Sequence, residues 1–253
     1  VPNATTGVNS VLRSLRFSPG DELLTTDHAY NACANALRFV ADRDGATTVV
    51  AHLPYPVEHP DQIVDAILDS VTDRTRLFLL DHVTSPTGLV LPAERIVEVL
   101  EARGIAVLVD GAHVPGMIPL DLEALGASYY TGNCHKWLCT PKGSAFLWVR
   151  RDRQDEIRPT VISHGANVER DDRSRFQTEF DWTGTVDPTP WMCIGTAIDW
   201  FDATFDGGWP AIMKRNRELA LQGRTRLAER LRASGAPREG DPPRPLPDGG
   251  QAP

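Results

Sequence analysis

Short aliphatic and β-branched runs alternate along this chain with longer stretches in which apolar residues return every three or four positions. Runs of the first kind lie at residues 22–26, 47–53, 77–83, 105–110, 128–131 and 144–149. Most are apolar at successive positions instead of at every second one, so they are predicted to be sheet strands covered on both faces. Helical spacing marks residues 29–43, 60–72, 92–103 and 209–233. In the third of these, Pro92 stands at the start, Ile96, Val99 and Leu100 form the stripe, and Gly104 follows the end. Strand and helix in alternation predict an α/β fold, a mainly parallel sheet with helices on both faces. Ile212, Asn216, Leu219, Gly223, Leu227 and Leu231 recur near the helical period, which makes 209–233 one long amphipathic helix. From 237 to 253, six of 17 residues are proline and almost none is apolar, so residues 234–253 are expected to form a disordered tail. The expected organisation is one α/β domain over 1–208, the long helix, and the tail.

Composition narrows the function classes. With 253 residues, 41% of them apolar and 24% charged, the chain is long enough for a sizeable core and excludes wholesale disorder. The 26 basic residues are outnumbered by 34 acidic ones, for a net charge of -8, so no overall positive field is available to hold nucleic acid. No apolar run approaches the length of a membrane span, and VPNATTGVNS has no basic stretch followed by an apolar one, so neither a signal peptide nor an anchor is expected in it. Cys33, Cys134, Cys139 and Cys193 include no CxxC pair. They predict free thiols, a cytoplasmic location and no metal site.

Candidate chemistry concentrates in Leu108-Val109-Asp110-Gly111-Ala112-His113 and Thr131-Gly132-Asn133-Cys134-His135-Lys136-Trp137. Asp110 falls at the carboxyl end of one predicted strand and Lys136 follows the next. Strand carboxyl ends are where ligands bind in open α/β sheets. Alone, Asp110 reads as a turn residue and Lys136 as a solvated charge; together with His113 and His135 they read as a site. Asn3-Ala4-Thr5-Thr6-Gly7 ahead of Val8, Val11, Leu12 and Leu15 is a helix start, an ordinary cap by itself and also a place where backbone N–H groups favour a phosphate. Cys134 and Cys139 read as small buried thiols packing a crowded turn.

The stretch from Asn3 to about Trp200 resembles the class V aminotransferase family of pyridoxal 5'-phosphate (PLP) enzymes. The segments DHAYNA, SPTGLVLP, VDGAHVPGMIPLDL, GNCHKWL and GTVDPTPW carry the resemblance and look most like the isopenicillin N epimerase branch, whose relatives include C–S lyases. The resemblance implies the large domain of PLP-dependent fold type I, with Lys136 as the Schiff-base lysine and Asp110 as the carboxylate on the pyridine nitrogen. It implies that His28 stacks on the ring, that His113 meets the phenolic oxygen, and that Ser85 lies near that oxygen and the substrate. Without the resemblance, His28 is a loop histidine and Ser-Pro-Thr-Gly a tight turn. Asn3, Ala4, Thr5 and His135, with Asn133 where relatives often carry Ser, match phosphate positions. Thr185 matches a threonine that reaches the neighbouring subunit's phosphate, which implies a homodimer with shared sites.

The implied activity is chemistry at Cα of a small amino-acid substrate, read as epimerisation. A C–S lyase is the alternative, and a truncated, non-catalytic cofactor-binding or dimerisation remnant is a reading of another class. Family members are longer at both ends, and a small domain beyond the long helix carries their carboxylate-binding arginine. No residue here is assigned that role, and both a fragment and a natural truncation fit this. The helix start at Asn3–Thr5 is expected to fray so close to the first residue, which would weaken PLP binding.

Overall fold

The structure is a computed structural model and describes residues 1–233. Six strands, β1 (Glu22–Thr26), β2 (Thr47–Ala51), β3 (Thr75–Asp81), β4 (Ala106–Asp110), β5 (Tyr129–Asn133) and β6 (Ala145–Val149), form one sheet in the order β2-β1-β3-β4-β5-β6. All neighbours pair in parallel except β5 and β6, which are antiparallel. The expected α/β fold is therefore present, and each predicted strand lies within two residues of an observed one at either end. β2 is an exception to the covered strands: only Ala51 in it is buried, because the strand order leaves β2 at the sheet edge, covered less than a central strand.

Alternation along the central strands builds two cores. In β3, Phe78 and Leu80 face one cluster together with Val107, Val109 and Tyr130, while Leu77 and Leu79 face the other with Leu108 and Tyr129. The first cluster is closed by α3 (Pro60–Asp69) and α4 (Ala93–Ala102), through Ile63, Ile67, Ile96 and Leu100. The second is closed by α1 (Ala4–Ser14) and α2 (Asn31–Asp44), through Val8, Val11, Leu12, Leu37 and Val40. The same alternation puts Asp81 and Asp110 on the side of α1 and α2, since each continues the odd or even row of that face.

The helix start at Asn3 is anchored. The Asn3 side chain accepts from Thr6 N at 2.8 Å, Ala4 N donates to Asn133 Oδ1 at 2.8 Å, and Ala145 N donates to Val1 O at 3.1 Å. Trp191 Nε1 also donates to Val1 O, at 3.1 Å. These ties to β5, β6 and a distant helix correct the expectation of fraying, which took the segment to be free of tertiary bonds.

Beyond β6 the chain forms two short 3-10 turns, Arg151–Glu156 and His164–Asn167, and the helices α6 (Arg175–Asp181), α7 (Thr189–Thr204) and α8 (Gly208–Ala233); a four-residue α5 (Leu122–Leu125) precedes β5. The long helix is present as expected, and its Leu219, Leu227 and Leu231 are exposed. The expected tail lies outside the described residues. No described helix is long and apolar enough to cross a membrane.

Gly7 is where α1 approaches β5 most closely: a Cβ there would fall 2.4 Å from Thr131 Oγ1. Gly223 in α8 has open space around the same position. Gly7→Ala should destabilise the fold by about 1–3 kcal/mol in denaturant unfolding, through overpacking. Gly223→Ala should be neutral or slightly stabilising, as Ala is the better helix former. Equal behaviour of the two would contradict the close contact.

Candidate active site

The register of the sheet brings the candidate residues to one end. Asp81 and Asp110 are paired across β3 and β4, and Asp110 and Thr131 across β4 and β5. His28 follows β1, His113 follows β4, and His135 and Lys136 follow β5. β2 lies to one side of β1 and β3 to the other, so the direction of strand addition reverses there, the place where an open α/β sheet forms a crevice.

Asp110 is 3% exposed and sits at the end of β4. Its Oδ2 accepts from Cys33 Sγ of α2 at 3.1 Å and its Oδ1 from Ala112 N at 3.0 Å. Burial pushes its pKa up, against these two hydrogen bonds and the charge of Lys136. The turn that follows needs Gly111, because a Cβ there would overlap the Tyr130 hydroxyl, only 2.0 Å away. Beside Asp110, Asp81 is 2% exposed; its Oδ1 accepts from Tyr30 N at 3.2 Å and its Oδ2 is buried with no partner. Burial, then the neighbouring Asp110, push Asp81 up to about 8.

Lys136 Nζ lies 3.0 Å from His113 Nε2, and His113 Nδ1 accepts from Trp137 Nε1 at 3.3 Å. Burial lowers the Lys136 pKa despite the opposing influence of Asp110. Burial and then Lys136 lower that of His113. The arrangement offers an amine that burial makes easier to deprotonate and, beside it, a carboxyl that burial leaves in need of a cationic partner.

The remaining candidates occupy a rim. His28 is held by Thr87 Oγ1, 2.9 Å from its Nδ1, and Thr87 contacts Thr84 Oγ1 at 2.7 Å. Ser85 is exposed in the same turn. Asn133 Oδ1 is engaged by Ala4 N, so this side chain couples β5 to α1. At the start of α1, Ala4 N is thus taken by Asn133 and Thr6 N by Asn3. His135 Nδ1 lies 2.7 Å from Ser144 O. Thr185 is exposed between α6 and α7. Of the flanking thiols, Cys134 is buried as expected but Cys139 is exposed, its left-handed backbone (φ 59°) turning it outward in the loop.

Sequence reasoning missed Asp81, Cys33, Thr87 and the role of Trp137. Only Asp81 carried a signal, a charged residue ending an apolar strand run; the others are defined by contacts across elements.

The burial of Asp81 makes the stability of the fold depend on pH. In the folded chain it keeps its proton up to about pH 8, whereas the unfolded chain releases it near ~3.9. Its contribution to stability is full below the unfolded value and is lost as pH rises through the folded one, with a limiting slope of about 1.4 kcal/mol per pH unit. Without cofactor, wild type should lose stability relative to Asp81→Asn between pH 5 and 8 in paired denaturant titrations. Parallel curves would show that Asp81 titrates normally.

Comparison with known proteins agrees with this geometry. The aminotransferase class V family profile matches residues 1–237. The isopenicillin N epimerase of Amycolatopsis lactamdurans is 37% identical over 238 residues, covering 89% of this chain and 59% of the epimerase. A putative L-cysteine desulfhydrase of Oryza sativa subsp. japonica is 34% identical, covering 90% of this chain and 49% of that protein. Among solved structures, a cystine C–S lyase in complex with its reaction product cysteine persulfide has a TM-score of 0.67 at 30% identity, covering 77% of this chain and 53% of the lyase. The chain thus spans between about half and three-fifths of the length of these proteins. Its six-stranded sheet and helical layers are those of the large domain of PLP-dependent fold type I, and the chain belongs to the class V aminotransferase family.

Proposed function

We propose that this chain is the cofactor-binding part of a PLP-dependent enzyme that acts at Cα of a small amino-acid substrate, most simply as an epimerase of the isopenicillin N epimerase kind. The observation that carries the reading is the pairing of a buried carboxyl, Asp110, with a half-buried lysine of lowered pKa, Lys136, at the crevice end of the sheet. A C–S lyase is the second reading, supported by the likeness to the cystine lyase and the desulfhydrase. Free cysteines among the described residues fit a reducing, cytoplasmic setting.

The residues present fit the cofactor. Asp110, unable to stay charged cheaply where it is buried, suits a protonated ring nitrogen, and its two donors leave it aimed and rigid. The start of α1 offers an anion the Thr5 N–H and hydroxyl at a favourable dipole end, with Asn3, Ala4, Asn133 and His135 completing or bracing that cradle. His113 suits the phenolic oxygen, and His28, steadied by Thr87, suits a ring face beside the Ser85 turn. We assign Thr185 to the phosphate of a second copy in a homodimer with shared sites.

When bound, PLP supplies an aldehyde for the lysine amine and a ring that accepts the electron pair released at Cα. Lys136 would be the residue that holds the cofactor, and its amine, once free, would stand ready to take the Cα proton. Asp110 would hold the proton on the ring nitrogen. For epimerisation a proton must return to the opposite face of Cα; for lysis a sulfur group leaves Cβ instead.

Incubation with PLP followed by borohydride reduction and peptide mapping should place a stable adduct on Lys136. Lys136→Ala should abolish it, whereas Lys142→Ala, which alters an exposed turn, should not. An adduct lost equally from both folded variants would contradict the assignment. Turnover of amino acids in deuterated water then separates the two readings: deuterium at Cα supports the epimerase, and release of pyruvate with a sulfur product supports the lyase.

A further inference from the structure

We propose that Trp137 is a positioning residue that sets the protonation state of Lys136 by fixing the tautomer of His113. The purpose of this device rests on the reading of Lys136 as the cofactor-binding lysine, but the hydrogen-bond chain stands on its own geometry.

An indole nitrogen can only donate. Trp137 Nε1 donates to His113 Nδ1 at 3.3 Å, so that ring nitrogen presents a lone pair. The single proton of neutral His113 is then on Nε2, which lies 3.0 Å from Lys136 Nζ. With Nε2–H donating, Nζ must accept, and only an uncharged amine has the lone pair to do so. The opposite polarity, an ammonium donating to Nε2, would put a proton on Nδ1 facing the indole N–H. Two donors would then meet head to head. The chain Trp137 to His113 to Lys136 therefore runs in one direction and ends on a neutral amine.

The surroundings bear on the same balance. Burial of Nζ disfavours the ammonium, and Asp110 opposes that effect. Burial disfavours a proton gained by His113, which keeps the ring neutral and the tautomer meaningful. Trp137 is 45% exposed, so its ring is not a core residue. Its backbone is nonetheless fixed: a Cβ at Gly116 would lie 2.5 Å from Trp137 O, which holds this segment against the turn carrying His113. A neutral amine can attack an aldehyde carbon directly; the C–N bond forms, and the carbonyl oxygen departs as water with both amine hydrogens.

The test uses the 253-residue chain without cofactor. Nitrogen NMR of histidine-labelled protein, with His113→Gln to assign the signal, should show His113 protonated on Nε2 and bare on Nδ1 at neutral pH. Trp137→Phe keeps the ring but loses the N–H, and should give a mixture of tautomers. In the same variant, the pH midpoint for trinitrophenylation of Lys136, read by peptide mapping, should rise by about one unit, which is about tenfold slower labelling at pH below the midpoint. Lys142 serves as the internal standard, and Trp137→Ala should match Trp137→Phe. A wild-type Nδ1–H tautomer, or a Trp137→Phe profile equal to wild type while only Trp137→Ala shifts, would overturn the proposal. Failure of PLP to attach to wild-type Lys136 would instead overturn the functional reading and leave the tautomer relay standing.

Discussion

A carboxyl group removed from water at the end of a central strand must be hydrogen-bonded, neutral or matched by a cation, and Asp110 is the point in this molecule where that requirement is sharpest. Two protein donors, Cys33 and Ala112, reach it, and burial still raises its pKa. Both donors exist because of packing elsewhere. Cys33 is delivered by α2, whose Leu37 and Val40 close the core against β1, β3 and β4. Ala112 is delivered by a turn that only Gly111 allows beneath the Tyr130 hydroxyl. The helical layer, the strand register and the glycine thus converge on one oxygen pair.

The electrostatics extend from there. Asp81 stands next in register and is pushed up to about 8 by its own burial and then by the neighbouring Asp110, so two adjacent carboxyls need not both be charged. Lys136 feels both carboxyls and yet is lowered, because the cost of burying its own charge prevails. The result is a site with little settled charge of its own, in which an incoming cationic ring and an aldehyde would each find the complementary group. Its outer boundary is made by weaker contacts, the Thr84–Thr87–His28 chain and the anchored start of α1.

How much of this could be read from the residues depends on the range of the interaction. Strand centres were legible because buried parallel strands have a continuous apolar signature, and Asp110 and Lys136 were legible because they terminate or follow such runs. The exposure of β2 was not, since being at an edge is a property of strand order and not of residues 47–51. α7 escaped notice because TPWMCIGTAIDWFDAT is apolar without a sided period, and none of its residues is buried among those described. The anchoring of Ala4 by Asn133 joins positions 129 residues apart, and no local pattern announces it. Cys33 and Trp137 likewise gain their roles only when α2 meets β4 and when the turn after β5 meets His113.

The role proposed for Asp110 is to hold a protonated ring nitrogen. The most direct measurement compares equilibrium affinities of PLP and of its analogue with CH in place of the ring nitrogen, for wild type and for Asp110→Asn. Wild type should bind the analogue more weakly, on the order of tenfold or more for one charge-assisted hydrogen bond. Asp110→Asn should lose most of that discrimination. Equal affinity of wild type for the two ligands, or the same preference in both proteins, would contradict that role.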